Sequence, residues 1–276
     1  MKHLLLFLLC FLLLIGCQSA QTPADGVTVA LLDTGVSTAA IAAEELLAGH
    51  NYVTDSADTE DRLNHGTAVA SILLGCSSAG VARNAPESCR VVPLVVADTA
   101  GSVPPQTLAQ AIRDAIKQYH ADIIHVSLGI QTDDPDVRSA IAYAEEQGVL
   151  VVAAVGNDGN SQALFYPAAY DTVLAVGSHD KDLAVSRFSQ QNGTADLLAP
   201  GEDIWMASIE GETYGSQGTS YAAAYATAAA AALLEQDPAL SPAMVRQALF
   251  DAARDIGAPG YDVASGWGIL QFPQSS

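Results

Sequence analysis

GTSYAAAYATAAAAALLE, residues 218–235, is the stretch on which the fold turns. Nine of the eleven residues from Ala222 to Ala232 are alanine, and no charged residue occurs between Ser220 and Glu235. A helix on a protein surface carries polar or charged residues on its outer face. This one carries none there, so it is expected inside. Alanine forms helices best and adds least width. Such a helix can press its backbone close to a sheet, where larger side chains would hold it away. Gly218, Thr219 and Ser220 would supply a turn, an N-cap and a hydroxyl at the helix start. Tyr221 and Tyr225, one helical turn apart, are the unusual residues in this run.

The remainder of the chain has to provide the sheet. Apolar runs at 27–33 (VTVALLD), 90–97 (RVVPLVVA), 122–128, 148–155 and 172–177 read as strands, with shorter ones at 51–53 and 203–208. Between them, helices are expected over 37–48, 65–74, 104–120, 135–147, 219–236 and 241–253. In the helix over 104–120, Leu108, Ala111, Ile112, Ala115, Ile116 and Tyr119 form one stripe behind Pro104 and Pro105. Strands apolar throughout, alternating with helices, imply an α/β fold of three layers, a mostly parallel central sheet with helices on both faces. One domain is expected over 27–272, followed by a tail at 273–276. In such a sheet, sites gather at the carboxyl ends of the strands.

The chain has 276 residues, half of them hydrophobic, and 31 acidic against 11 basic side chains, for a net charge of −20. No basic patch is visible, which argues against nucleic acid as a partner. Leu4 to Ile15 is a continuous apolar run, too short to cross a bilayer and fitting a signal segment. It ends in Leu14-Ile15-Gly16-Cys17, which resembles a bacterial lipobox. That resemblance implies cleavage of residues 1–16, a lipid on Cys17 and a polar tether over 17–26. The domain is then expected outside the cytoplasm, anchored to a bacterial membrane. Gln18 rather than aspartate after the cysteine favours the outer membrane where there is one. Oligomeric state is not legible. Of the other cysteines, Cys76 and Cys89 match no zinc spacing. A compartment that permits disulfides predicts a bond between them, with two buried thiols as the alternative.

Three short pieces carry chemistry: Asp33-Thr34-Gly35 ending a strand, His65-Gly66-Thr67 opening a helix, and Gly218-Thr219-Ser220 opening another. A serine hydroxyl is a poor nucleophile until a base takes its proton. Imidazole is that base, and a carboxylate fixes its tautomer and stabilises its charged form. No histidine follows Ser220, the last being His179, which excludes the order of an α/β-hydrolase. The alternating helices exclude a two-barrel all-β protease. His125, in a buried strand, reads as a satisfied core residue.

With VALLDTGVS, NHGTAVAS, VSLG, VVAAVGNDG, LAPGEDI, GTSYAAA and GWGIL in order along residues 27–271, the chain resembles the subtilisin-like serine proteases, or subtilases. The family's triad and its chain order are a standard case rather than a deduction from this sequence. The resemblance implies a serine endopeptidase acting through an acyl-enzyme, with a peptide or protein substrate. Asp33 would orient His65, His65 would serve as base and then acid, and Ser220 would attack. Asn157 and the Ser220 N–H would hold the oxyanion. Ser127, Leu128 and Gly129 would pair with substrate backbone, and Gly101 and Ser102 would form the opposite wall. Phe165 falls where relatives often carry glycine at the floor of the primary pocket, implying a small residue before the scissile bond.

The chain also departs from the family. Only residues 17–26 would remain before the domain, so it is expected to fold without the propeptide of secreted relatives, either unaided or with assistance from something else. No cofactor is required for the chemistry. Many relatives insert a calcium-binding loop into the helix that begins with the catalytic histidine. Here SILLGCSSAG has no such insertion, so structural calcium stays possible but is not indicated, and the expected Cys76–Cys89 bond would clamp this region instead. Tyr221 and Ala224 stand where relatives commonly have methionine and proline. A pseudoprotease on the same fold is the rival reading, and a processing factor with one protein substrate is a second.

Overall fold

The computed structural model describes residues 26–273. The expected signal segment, Cys17 and nearly all of the expected tether therefore lie outside the described residues, as do residues 274–276. Strand β1 (Thr28–Asp33) lies inside a parallel sheet, between β3 (Arg90–Val95) and β4 (Ile123–Val126). The full order is β2-β3-β1-β4-β5-β6-β7, with β2 at His50–Asn51, β5 at Leu150–Ala154, β6 at Leu174–His179 and β7 at Leu197–Pro200. Every neighbouring pair in this sheet is parallel. From β1 the chain passes to the edge strand β2, returns to β3 beside β1, and then crosses to β4 and builds outward to β7 on the other side. The carboxyl end of β1 is therefore the topological switch point, and Asp33 sits there.

The two-residue period of a strand divides the core. Val29 and Leu31 of β1 face helices α1 (His65–Leu74), α4 (Thr219–Gln236) and α5 (Pro242–Ala252). Ala30 and Leu32 face α2 (Pro105–Lys117) and α3 (Pro135–Glu146). The alanine run is the centre of the first layer. Ala222, Ala223, Ala224, Ala226 and Ala228 to Ala231 are fully buried, where α4 packs on β4 to β7, α1 and α5. A small antiparallel hairpin, β8 (Ile204–Ala207) with β9 (Thr213–Ser216), lies against α1.

The structure corrects the expectations in four places. Residues 37–48 form only one 3-10 turn, Ala43–Glu45. Ser37 O accepts from Ala40 and Ile41, Ala42 turns extended, and Leu47 N donates to Val91 O at 2.8 Å. Docking on β3 thus overrides local helix propensity. Strands β7 and β9 were not expected: β7 has four residues, and β9 (TYGS) has no apolar alternation.

The Cys76–Cys89 bond is also absent: both thiols are free and buried. Cys76 packs with Ala79 and Ala207, its sulfur 3.3 Å from Ser78 Oγ, whereas Cys89 belongs to the main core. Burial pushes the Cys89 thiol up to about 12, with Arg83 and Arg90 pulling it only partly back, so it is inert as a thiolate.

What holds this region is Arg83. Its Nη1 donates to Glu45 Oε2 at 2.9 Å and to Leu74 O at 3.3 Å. Its Nε donates to Ala85 O at 3.0 Å and Pro86 O at 3.1 Å, and its Nη2 to Pro86 O at 2.6 Å and Cys89 O at 3.1 Å. One guanidinium thus ties the end of α1, the 3-10 turn and the lead into β3, through a carboxylate and four carbonyl oxygens.

Candidate active site

Asp33 is fully buried where β1 ends, and its Oδ1 lies 2.7 Å from His65 Nδ1. The same oxygen accepts from Thr34 N at 2.7 Å, which fixes the carboxylate plane. With Nδ1–H pointing at Asp33, His65 presents Nε2 as the basic nitrogen. Burial opposes charge on His65. The charge of Asp33, its hydrogen bond and the charge of Asp61 outweigh burial, so the imidazole titrates above its ordinary value of 6.5. Gly66 makes this approach possible, because a Cβ there would lie 2.2 Å from Gly35 O and 3.1 Å from Asp33 Oδ1.

Asp61 is a second buried carboxylate that the sequence reading missed. Its Oδ1 accepts from Thr34 Oγ1 at 2.9 Å, Leu63 N at 2.8 Å and Asn64 N at 3.0 Å. Its Oδ2 accepts from Thr67 N at 2.9 Å and Thr67 Oγ1 at 2.7 Å. Thr34 Oγ1 in turn accepts from Gly66 N at 2.9 Å. A carboxylate placed this way anchors the orphan donors at the start of α1, the helix that begins with His65. An acidic residue four positions before a helix-opening histidine was the available signal.

Ser220 is the second residue of α4. Gly218 is the N-cap and supplies no side-chain cap, which differs from the expected Ser/Thr capping. Thr219 is engaged elsewhere: its N–H and Oγ1 donate to Asn157 Oδ1 at 2.9 and 3.0 Å. This fixes the Asn157 oxygen and leaves its Nδ2 donors turned to the other side, near Gly218. A helix start at which the Thr219 and Tyr221 N–H groups are bonded, and the Ser220 N–H is left without a partner among the described residues, is suited, beside an amide donor, to developing negative charge. The Ser220 hydroxyl donates to Ser127 O at 3.2 Å, and no hydrogen bond to His65 is present among the described residues. Resting sites often show such loose nucleophile–base geometry. Tyr221 is buried, with its ring 6.1 Å from the His65 imidazole, so Ser220 and His65 share one site.

The expected pocket residues divide. Ser127 is buried past the end of β4, and no backbone–backbone hydrogen bond engages Leu128 or Gly129 among the described residues. The Phe165 ring is wedged between two glycines. A Cβ on Gly129 would meet Phe165 Cδ1 at 3.3 Å, and one on Gly156 would meet Cδ2 at 2.8 Å. Gly156 also has φ +106°, a conformation L side chains avoid. Gly101 and Ser102 lie in an exposed turn in which Asp98 Oδ1 accepts from Ser102 N at 2.9 Å. Among the described residues no hydrogen bond joins this turn to residues 127–129. No group of three or more His, Cys, Asp or Glu side chains among the described residues is placed to hold a metal ion. His125 is fully buried, and burial holds it down to about 4, so it is neutral.

The comparisons with known proteins agree with this geometry. The subtilase family profile, Peptidase S8, matches residues 24–268. The chain is 37% identical over 216 residues to the major intracellular serine protease of Bacillus subtilis (strain 168), covering 74% of this chain and 67% of that one. It is 33% identical over 254 residues to subtilisin BL of Lederbergia lenta, covering 88% and 92%. Among solved structures, an S41 psychrophilic protease matches with TM-score 0.81 at 27% identity, over 90% of this chain and 92% of that one. With this profile running through nearly all of the described fold, the chain belongs to the subtilase family and is a serine-type endopeptidase.

Proposed function

We propose that this subtilase is an exported, lipid-anchored endopeptidase that cleaves after small residues through Asp33, His65 and Ser220. The observation that carries the catalytic reading is the 2.7 Å Asp33–His65 contact beside an uncapped helix start bearing Ser220. His65 takes the Ser220 proton, Ser220 Oγ attacks the scissile carbonyl, and the Ser220 N–H and Asn157 Nδ2 hold the oxyanion. His65 then protonates the leaving amine, and water releases the acyl group by the same steps in reverse order. The unpaired backbone of Leu128 and Gly129 supports pairing with an extended substrate. Labelling by a fluorophosphonate probe, with Ser220→Ala as the blank, tests this. A folded protein that takes no label sinks it in favour of the pseudoprotease reading.

Phe165 supports the preference for a small residue, since its ring occupies the space between Gly129 and Gly156. Phe165→Gly is expected to raise kcat/KM for phenylalanine relative to alanine before the scissile bond by about 10- to 100-fold. Equal cleavage after alanine and phenylalanine by the unaltered enzyme counts against this pocket.

Export and anchoring rest on the LIGC segment at residues 14–17. Incorporation of labelled palmitate that persists in Cys17→Ser would refute the lipid site. The chemistry uses no cofactor, and Arg83 supports a domain whose α1 end is clamped without calcium.

A further inference from the structure

His125 lies on β4 in register with Leu31 and Val152, on the sheet face that α4 covers. Both of its ring nitrogens are engaged. Nδ1 lies 2.8 Å from Thr227 Oγ1, two helical turns beyond Ser220 on α4. Nε2 lies 2.5 Å from Ser127 Oγ. Ser127 Oγ is also within 3.3 Å of Ser220 O, and Ser220 Oγ donates to Ser127 O at 3.2 Å. Thr227 Oγ1 closes the other end against Ala223 O at 2.9 Å.

The chain is satisfied in either neutral tautomer. With the proton on Nδ1, the ring donates to Thr227, which donates to Ala223 O, and the Ser127 hydroxyl donates to Nε2. With the proton on Nε2, the ring donates to Ser127, which donates to Ser220 O, and the Thr227 hydroxyl donates to Nδ1. An imidazole between two hydroxyls can therefore bridge sheet and helix without leaving a buried polar atom unpaired. A leucine would fill the space but leave the two hydroxyls without their shared partner.

We propose that His125 is a positioning residue for peptide-bond hydrolysis: its imidazole ties the end of β4, which carries Ser127, to the nucleophile helix and so fixes Ser220 against that segment. It touches neither substrate nor His65. Its contribution is the placement of Ser220 Oγ relative to the strand on which substrate backbone lies, where an error near 1 Å costs about 100-fold.

The test is a cycle of variants in the full chain, assayed on a peptide anilide with melting temperatures recorded alongside. His125→Leu and Ser127→Ala are each expected to lower kcat by about 10- to 100-fold with KM little changed. The double variant is expected to be no worse than the poorer single one, because both cut the same chain. A purely structural histidine would lower the melting temperature and leave kcat of the folded fraction alone. Wild-type kcat in Ser127→Ala, or a double-variant loss equal to the product of the single losses, overturns the proposal. If His125→Leu does not fold, Ser127→Ala and the isosteric Thr227→Val decide. Reduced kcat in both supports the bridge, and wild-type kcat in either refutes it.

Discussion

Asp33→Asn is expected to lower kcat/KM by about 10⁴-fold, the scale on which serine-protease triads respond to loss of their carboxylate. The local geometry explains why the amide cannot substitute. Asp33 Oδ1 accepts from both Thr34 N and His65 Nδ1, while Oδ2 is buried without a partner. With the amide oxygen at Oδ1, the NH2 group occupies the Oδ2 position as an unpaired buried donor. With the amide reversed, NH2 faces Thr34 N–H and drives His65 into the tautomer that donates from Nε2, which cannot accept the Ser220 proton. Neither arrangement retains the negative charge that stabilises imidazolium in the transition state.

The pH profile separates this loss from simple misfolding. His65 must be neutral to act as base, so kcat/KM rises with pH through its titration. In the unaltered enzyme that limb lies above 6.5, because Asp33 and Asp61 outweigh burial. Without the Asp33 charge, burial is opposed only by Asp61, and the limb is expected to move down. A residual activity in Asp33→Asn whose acidic limb stays where it was would contradict the assignment of Asp33 as the partner of His65.

Arg83→Met carries the second large effect, on stability. The substitution keeps much of the aliphatic stem and removes every donor. Glu45 keeps only Arg90 Nη1, at 3.6 Å, and the carbonyls of Leu74, Ala85, Pro86 and Cys89 each lose a donor. The side chains of Arg83 and Glu45 are only 13% and 21% exposed, so water compensates poorly. Breaking such a pair by removing one partner costs roughly 3 kcal/mol. In a domain of this size that corresponds to a fall in Tm of about 6–12 °C. Thermal melts check it, run with and without a chelator and with and without a reductant. Neither additive is expected to move the Tm of the unaltered protein. A chelator that lowers that Tm by many degrees, or an Arg83→Met variant that melts like the parent, would show that the clamp lies elsewhere.

The architecture was legible because each of its signals is long. Strands β1, β3 and β4 are buried on both faces and read as largely apolar runs, β4 interrupted by His125, and the bare alanine surface of α4 left no solvent-facing side. Helices α1 and α4 occur at 65–74 and 219–236, where the pattern placed them. Short or tertiary features were not legible. The segment at 37–48 has helical composition, yet its backbone pairs with β3, a contact no local window contains. The Cys76–Cys89 expectation rested on compartment and spacing alone, and spacing says nothing about which cluster each thiol enters. Asp33, His65, Ser220 and Asn157 stood in motifs. His125 acts through Thr227, distant in the chain, so that bond appears only in three dimensions, whereas Asp61 bonds mostly to Leu63, Asn64 and Thr67 nearby and only its link to Thr34 is long-range.

The Arg83 clamp has a thermodynamic consequence of its own. A bound ion stabilises a fold by RT ln(1 + [L]/Kd), so its contribution rises and falls with the free ion in the medium. A guanidinium carried on the chain has no free concentration. It cannot be diluted, chelated or exchanged, and its contribution contains no logarithm of any solute. The folding equilibrium at this end of α1 is therefore uncoupled from the concentration of any one bound ion, and feels salt only through general screening of the Arg83–Glu45 pair. The trade is that the cation is always present, so the level of a specific free cation cannot act as a signal there.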